Sequence, residues 1–480
     1  MSSRRKLDPT RRYAETPASS SELEGESARL TRGSIGRVLV AMTIPSVVGG
    51  IGLLSVFVVD AYFVGRLGTD ALAIFGFAFP VVLGLMYLAI GLGTGAAAAV
   101  GRMLGEGEFE GRRRMATNAL LLAQAVMGLV WLAIATADSR LFSLLGAPPS
   151  LDADLRAYMS VVAGALWIFS IGVVAGAIMR AHGDAKTPAV AMGLCSAVNL
   201  ICDPVLIFGF GPIPALGVPG AGWATAAGAI VGVAISLQRM RSARELASIP
   251  QALTSWRRDW WRVLRVAGPA GGVQLLTPFS QIVMTRLVAG SGPAAVAAVG
   301  VGMRIEVLAM VVLIALSTTL SSFVSQNWGA GHRERVYRAI FHSLHFGFAW
   351  MAFLFLVTHL WNREIGALFS DEPEVLDVLS IYVAWVLPTA GFAGLVMLIF
   401  GVLNALEKPI EATSLSLVRV CIFFIPCAYL GYESSRTLGL FLGIGIANAT
   451  AGTLVYLAVR RVVAQRRSLE FAPAVRAVGP

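Results

Sequence analysis

The chain reads as an all-α integral membrane protein with 12 transmembrane helices in two pseudo-symmetric six-helix bundles. Three observations predict this. Of its 480 residues, 56% are hydrophobic and only 14% charged, and the mean hydropathy is +0.73, a balance foreign to soluble domains. Apolar stretches of about 20 residues, the length that crosses a ~30 Å hydrocarbon layer, recur almost end to end. The segment Pro45–Arg114 also aligns without a gap on Pro269–Arg338, 224 residues later. It matches Pro45/Pro269, Gly68/Gly292, Ala71/Ala295, Gly76/Gly300, Gly105/Gly329, Gly107/Gly331 and Arg114/Arg338.

In chain order, residues 1–35 are polar and too hydrophilic for a signal peptide, and are expected to form a disordered cytoplasmic tail. The first lobe, 36–238, holds spans at 38–65, 70–98, 116–137, 157–180, 188–210 and 218–238. Residues 239–263 form a cytoplasmic interlobe linker. There Trp256, Trp260 and Trp261 interleave with Arg257, Arg258, Arg262 and Arg265, as in a helix lying on the inner membrane surface. A lipid-headgroup sensor is a second reading of that stretch. The second lobe, 264–461, holds spans at 264–289, 294–322, 339–360, 378–404, 411–432 and 437–459, and 462–480 forms a second cytoplasmic tail. Both lobes begin on the inside, so the repeat is parallel, related by an axis along the membrane normal. Its hairpins end in turns whose glycine pairs, Gly105/Gly107 and Gly329/Gly331, suit helix C-caps.

A net charge of +10 does not imply nucleic acid. With a cytoplasmic N-terminus, Arg66, Arg140, Arg156, Arg363 and Arg436 fall outside and Arg286, Arg304 and Arg419 within spans. The remaining 30 of the 38 Lys and Arg face inward, which is the positive-inside asymmetry of a multi-pass cell-membrane protein with both termini cytoplasmic. Cys195, Cys202, Cys421 and Cys427 lie in apolar spans and read as core residues. None of the three lysines stands in a GxxxxGK[ST] context, so the chain has no phosphate-binding loop to power pumping.

Ionisable residues deep in membrane spans are costly and mark function by default. Asp60, in LLSVFVVDAYFVG, has Met284 as its counterpart in the second copy. Asp203, in SAVNLICDPVLIFG, lies at a similar depth in the fifth span, and Asn199 precedes it by one turn on the same face. These oxygens suit Na⁺ or a shared proton, since closely spaced carboxylates resist joint ionisation; a purely structural, hydrogen-bonded set is the alternative. Pro204 cannot donate to the Leu200 carbonyl and is expected to break the fifth span locally. Pro45 is a candidate bending point in the first. In the second lobe Arg304, Glu306 and Arg419 either line a cavity or stitch the lobes together. Arg304 and Glu306, two residues apart, point to different faces. Gln274 and Gln281, two turns apart in the seventh span, are cavity-lining candidates or ordinary interhelical hydrogen bonders. His342 and His345 share a face without a third ligand at metal-binding spacing.

The segment IPSVVGGIGLLSVFVVDAYFVGRLGTDALAIFGFAFP resembles the first two helices of the multidrug and toxic compound extrusion (MATE) antiporters. GRMLGEGEFEGRR, RAHGDAKTPAVAMGLCSAVNLICDPVLIFG, GAGWAT and SQNWGAGHRERV resemble later landmarks of the family, from about residue 36 to 462. The resemblance implies two six-helix bundles around a cavity that opens alternately to either side. In the DinF-like branch the helix 1 aspartate and the helix 5 Asn-x-x-x-Asp pair form a cation site, which carries over to Asp60, Asn199 and Asp203. A helix 6 threonine of that branch corresponds to Thr225. The acids that the NorM-like branch places in helices 7 and 10 have no counterpart here.

The expected function is a secondary antiporter exporting an organic, amphipathic or cationic compound in exchange for H⁺ or Na⁺. Membrane lipids are its surroundings, no cofactor or metal beyond the coupling ion is implied, and the chain is expected to act as a monomer. A flippase for a lipid-linked precursor is the alternative, and an integral-membrane enzyme a more distant one.

Overall fold

The computed structural model describes residues 29–136, 149–274, 276–367 and 372–470; the expectations for residues 1–28, the last ten residues and Arg140 lie outside them. Among the described residues the chain is helical and contains no β-strand. The first lobe is built from α1 (Ile35–Gly65), α2 (Thr69–Glu106), α3 (Phe109–Ala135), α4 (Asp152–Ala181), α5 (Lys186–Phe208) and α6 (Val218–Ser242). A short α7 (Ile249–Leu253) lies in the linker. The second lobe comprises α8 (Trp256–Gln274), α9 (Leu276–Ala289), α10 (Pro293–Gly329), α11 (Arg333–Leu360), a short α12 (Asn362–Ala367), α13 (Pro373–Ala405), α14 (Pro409–Leu417), a π-helical turn at Val418–Phe424, and α15 (Ile425–Glu470).

Among the described residues ten segments are long and apolar enough to cross a membrane, and two local features reconcile them with twelve spans. The seventh span is described as α8 and α9, on either side of residue 275. The eleventh and twelfth run on as one segment, Pro409–Gln465, interrupted by non-helical dihedrals at Ser435 (φ −149°, ψ 31°) and Arg436 (φ 51°, ψ −128°). There the chain doubles back, with Gly439 against the Gly431 carbonyl and Gly443 against that of Cys427.

Two local expectations are corrected. Pro204 does not break α5, which runs unbroken from Lys186 to Phe208; a missing donor near a helix end costs one hydrogen bond without forcing the helix open. Cys195 is buried and Cys202 and Cys427 half-buried, but Cys421 is exposed rather than a core residue. Pro45 sits inside α1 and removes one backbone hydrogen bond from it there.

The lobes meet at the end that carries the turns after α2 and α10. Leu30, Leu39 and Met42 share one apolar cluster with Leu313, Leu316 and Phe323 of α10. The Leu30 N–H donates to Gln326 Oε1 at 3.0 Å, Asn327 Nδ2 donates to the Leu30 carbonyl at 3.1 Å, and Gln326 Nε2 donates to the Ala181 carbonyl. Arg262 of the second lobe holds Glu407 at 2.8 Å, and Glu407 reaches Arg102 of the first at 3.6 Å. Gly107 and Gly331 are the left-handed residues of their turns (φ 78° and 76°), as C-caps are. Their neighbours Gly105 and Gly329 do something else: they touch each other across the lobes. A Cβ on Gly105 would run into the Gln326 carbonyl and the Gly329 Cα, and one on Gly329 into the Arg102 carbonyl. Equivalent residues of the two copies meet where the lobes touch.

Just past the end of α4, His182 Nδ1 donates to the Ile178 carbonyl at 2.9 Å. Burial, reinforced by Arg112, Arg29 and Arg239, pushes His182 down to about 4. Burial raises Glu245 to about 7, against the pull of Arg239 and Arg112. Although 3.9 Å apart, the two therefore do not form an ion pair near neutral pH, because the imidazole carries no charge there.

Candidate functional site

Close helix packing assembles the site. Gly52 lets α1 approach α5 so nearly that Ser196 Oγ donates to the Gly52 carbonyl at 2.6 Å. Gly228 does the same for α6, lying against the Cys195 carbonyl of α5. With no side chain between them, the three backbones carry Asp60, Asn199, Asp203 and Thr225 to one point.

Asp60 is 6% exposed, Asn199 1% and Asp203 0%. Asn199 Nδ2 donates to Asp60 Oδ1 at 3.1 Å. The Thr225 hydroxyl lies 3.5 Å from Asp60 Oδ2 but 3.0 Å from the Ala221 carbonyl. A hydroxyl has one proton to give, so the backbone holds it more firmly than Asp60 does. Among the described residues neither oxygen of Asp203 has a hydrogen-bond partner, and Asn199 Oδ1 has none. Asp203 and Asp60 stand close enough to interact, but two carboxylates can bond only through a shared proton. Three buried acceptors thus face the site without a donor, an arrangement costly unless a positive charge joins them. Asp60, Asn199 and Thr225 line a cavity of about 30 Å³, room for a water-sized occupant or two, against apolar walls from Leu53, Phe75, Val82 and Phe169.

Tyr158 of α4 is buried and lines the same cavity. Nothing in the sequence marks it, because a single tyrosine in an apolar helix carries no signal that separates it from packing.

The second-lobe candidates divide. The Tyr382 hydroxyl of α13 donates to Glu306 Oε2 of α10 at 2.6 Å, and Arg419, on the π-helical turn, lies within electrostatic range of the same carboxylate. Arg304 is exposed on another face of α10, so the two neighbours do not pair with each other. Gln274 ends α8 and Gln281 lies in α9, both half-buried.

Comparison with known proteins follows the internal repeat. The MatE family model matches residues 45–205 and 269–430, each match opening on the proline that opens one copy. An FAD transporter of Shewanella oneidensis is 34% identical over 433 residues, covering 89% of this chain and 95% of that one. The multidrug export protein MepA of Staphylococcus aureus is 21% identical over 88% of this chain and 93% of its own. Among solved structures, the Vibrio cholerae MATE transporter VcmN in its bent form superposes with a TM-score of 0.83 at 29% identity, covering 91% of this chain and 98% of that one.

Proposed function

This chain belongs to the MatE family of membrane transporters, and on that premise we propose that it is a secondary antiporter that exports an organic compound in exchange for H⁺ or Na⁺. The coupling ion binds at Asp60, Asn199 and Asp203, with Thr225 as an accessory oxygen. The observation that carries this reading is the set of buried acceptors without donors at Asp203 and Asn199. One cation between the two carboxyls removes their repulsion and supplies the missing partner.

The coupling follows from the helices that hold the site. A bound cation draws α1, α5 and α6 together, and its loss lets α1 separate, with Pro45 as the place where the helix bends. Cargo held against the same lobe then experiences two shapes of one wall, and the ion gradient biases which is populated. One proton moving down one pH unit supplies about 1.4 kcal/mol, and 100 mV adds about 2.3 kcal/mol per charge. A single site therefore supports several-hundred-fold accumulation.

An amphipathic or cationic multidrug-type compound is the first cargo class. A planar, phosphate-bearing compound of the FAD type is the second, favoured by the 34% identity to the Shewanella transporter. The test is export from proteoliposomes of a cationic dye and of FAD, under a pH or a Na⁺ gradient, for wild type and Asp203→Asn. Export driven by one gradient and reduced to passive leak in the variant supports both coupling and its place. Undiminished export by the variant removes Asp203 from coupling, and no export of either cargo by folded protein turns the reading towards a lipid-linked one.

A further inference from the structure

We propose that the first lobe carries a site for an anionic phospholipid of the inner leaflet, in a groove walled by α3, α4, α6 and the linker segment that leads to α7. The site is separate from the cation cluster and does not depend on the antiport reading.

The groove has a volume of about 550 Å³. Arg113, Arg241 and Arg244 stand at its mouth, and Leu121, Ile171 and Leu237 line its depth. Along α3 it runs from Arg113 to Gln124, about 16 Å at 1.5 Å per residue, which carries it from the headgroup level into the hydrocarbon layer. Arg241 and Arg244 are exposed, and among the described residues neither makes an ion pair, while Arg113 is held by Glu110 and the Leu246 carbonyl. Arg244 adopts a left-handed backbone (φ 53°), where glycine is the residue of least cost.

The chemistry of the two ends selects the occupant. Two uncommitted guanidiniums fit a phosphate with paired hydrogen bonds, and the inner leaflet is where anionic headgroups concentrate. The depth below them is apolar apart from Gln124, whose amide is taken up by the Trp167 carbonyl and Ser170 Oγ, and it suits an acyl chain better than a soluble phosphate ester. The wall on the linker side is fixed rather than loose. Thr117 Oγ1 accepts from the Ala247 N–H at 3.0 Å, and Asn118 Nδ2 donates to the Ala252 carbonyl at 2.7 Å and to Asp259 Oδ2 at 2.8 Å. Beside the mouth, Ile249 and Leu253 of α7 are 57% and 46% exposed, apolar side chains that continue the groove into the surrounding bilayer.

The test is thermal unfolding of the full-length protein in detergent, titrated with phosphatidylglycerol, phosphatidylcholine or glycerol phosphate. Phosphatidylglycerol is expected to raise the midpoint saturably and the other two are not. In R241Q/R244Q the concentration of phosphatidylglycerol needed should rise roughly 10- to 30-fold, with the midpoint in phosphatidylcholine unchanged. Leu121→Trp, which fills the groove and leaves the arginines in place, should also weaken the response and serves if the double variant does not fold. Equal stabilisation by the two lipids, or unaltered titrations in both variants, overturns the proposal. Glycerol phosphate matching phosphatidylglycerol overturns its lipid part and leaves a soluble phosphate as ligand.

Discussion

The two lobes share a helix plan and handle buried charge in opposite ways. In the first, Asp203 has no donor among the described residues, and Asp60 has the neutral Asn199 and a distant Thr225. In the second, Glu306 is closed by the Tyr382 hydroxyl at 2.6 Å, with Arg419 nearby. An acid whose partners are built in is committed to structure, whereas one lacking donors is open to a mobile cation. The apolar cores differ as well. Most of the first lobe's described core is one cluster, from Val64 to Met240, that reaches into α8; that of the second is divided among three, one of which also takes in Leu39, Met42 and Ala185 of the first.

The largest test of that comparison is to move the acid. Met284, the counterpart of Asp60, is 4% exposed among Val288, Val299 and Ala428. Met284→Asp lacks an Asn/Thr cradle there and should destabilise the protein by about 3 kcal/mol or more, read from unfolding midpoints in detergent. A variant of wild-type stability would show that position alone, without the cradle, accommodates the charge. Next, Tyr382→Phe removes the donor to Glu306 and should cost about 1–3 kcal/mol while leaving the ion dependence of export unchanged. A changed ion dependence would make Glu306 a second coupling acid and erase the contrast.

The last test, read as a slope rather than a midpoint, concerns Glu245, a buried acid beyond the end of α6 with an oxygen unpartnered among the described residues. Burial raises it from 4.5 to about 7 in the folded protein. Below pH 4.5 it is protonated folded or unfolded, and its contribution to stability is fully present. As pH rises through about 7 the buried group must ionise and that contribution is lost. Stability should therefore decline between pH 4.5 and 7, with a slope of up to about 1.4 kcal/mol per pH unit from this group. Glu245→Gln should remove that share of the slope; an identical slope in the variant assigns it elsewhere.

Asp60, Asn199 and Asp203 stand out in the sequence because acids and amides are rare in apolar helices and their spacing is helical. Thr225 does not, since threonine is common in such helices, and only family resemblance points to it. Tyr382 is invisible for the same reason, although it decides whether Glu306 is free. The glycine-rich turns are half legible. Gly107 and Gly331 cap helices as their pattern implies, but a contact between Gly105 and Gly329 depends on how two lobes meet, which no local pattern encodes. The reversal at Ser435 and Arg436 lies between two apolar runs that composition alone separates.

That glycine contact has one more consequence. In an isologous interface a residue meets its own copy only on the two-fold axis, and Gly105 against Gly329 is such a meeting within a single chain. The inner closure is in effect a homodimer interface whose halves have been joined by residues 243–255. Joining them fixes the effective concentration of one half around the other. On the proposed antiport reading, the seam can then part and re-form in each cycle without either half losing its partner to the surrounding membrane.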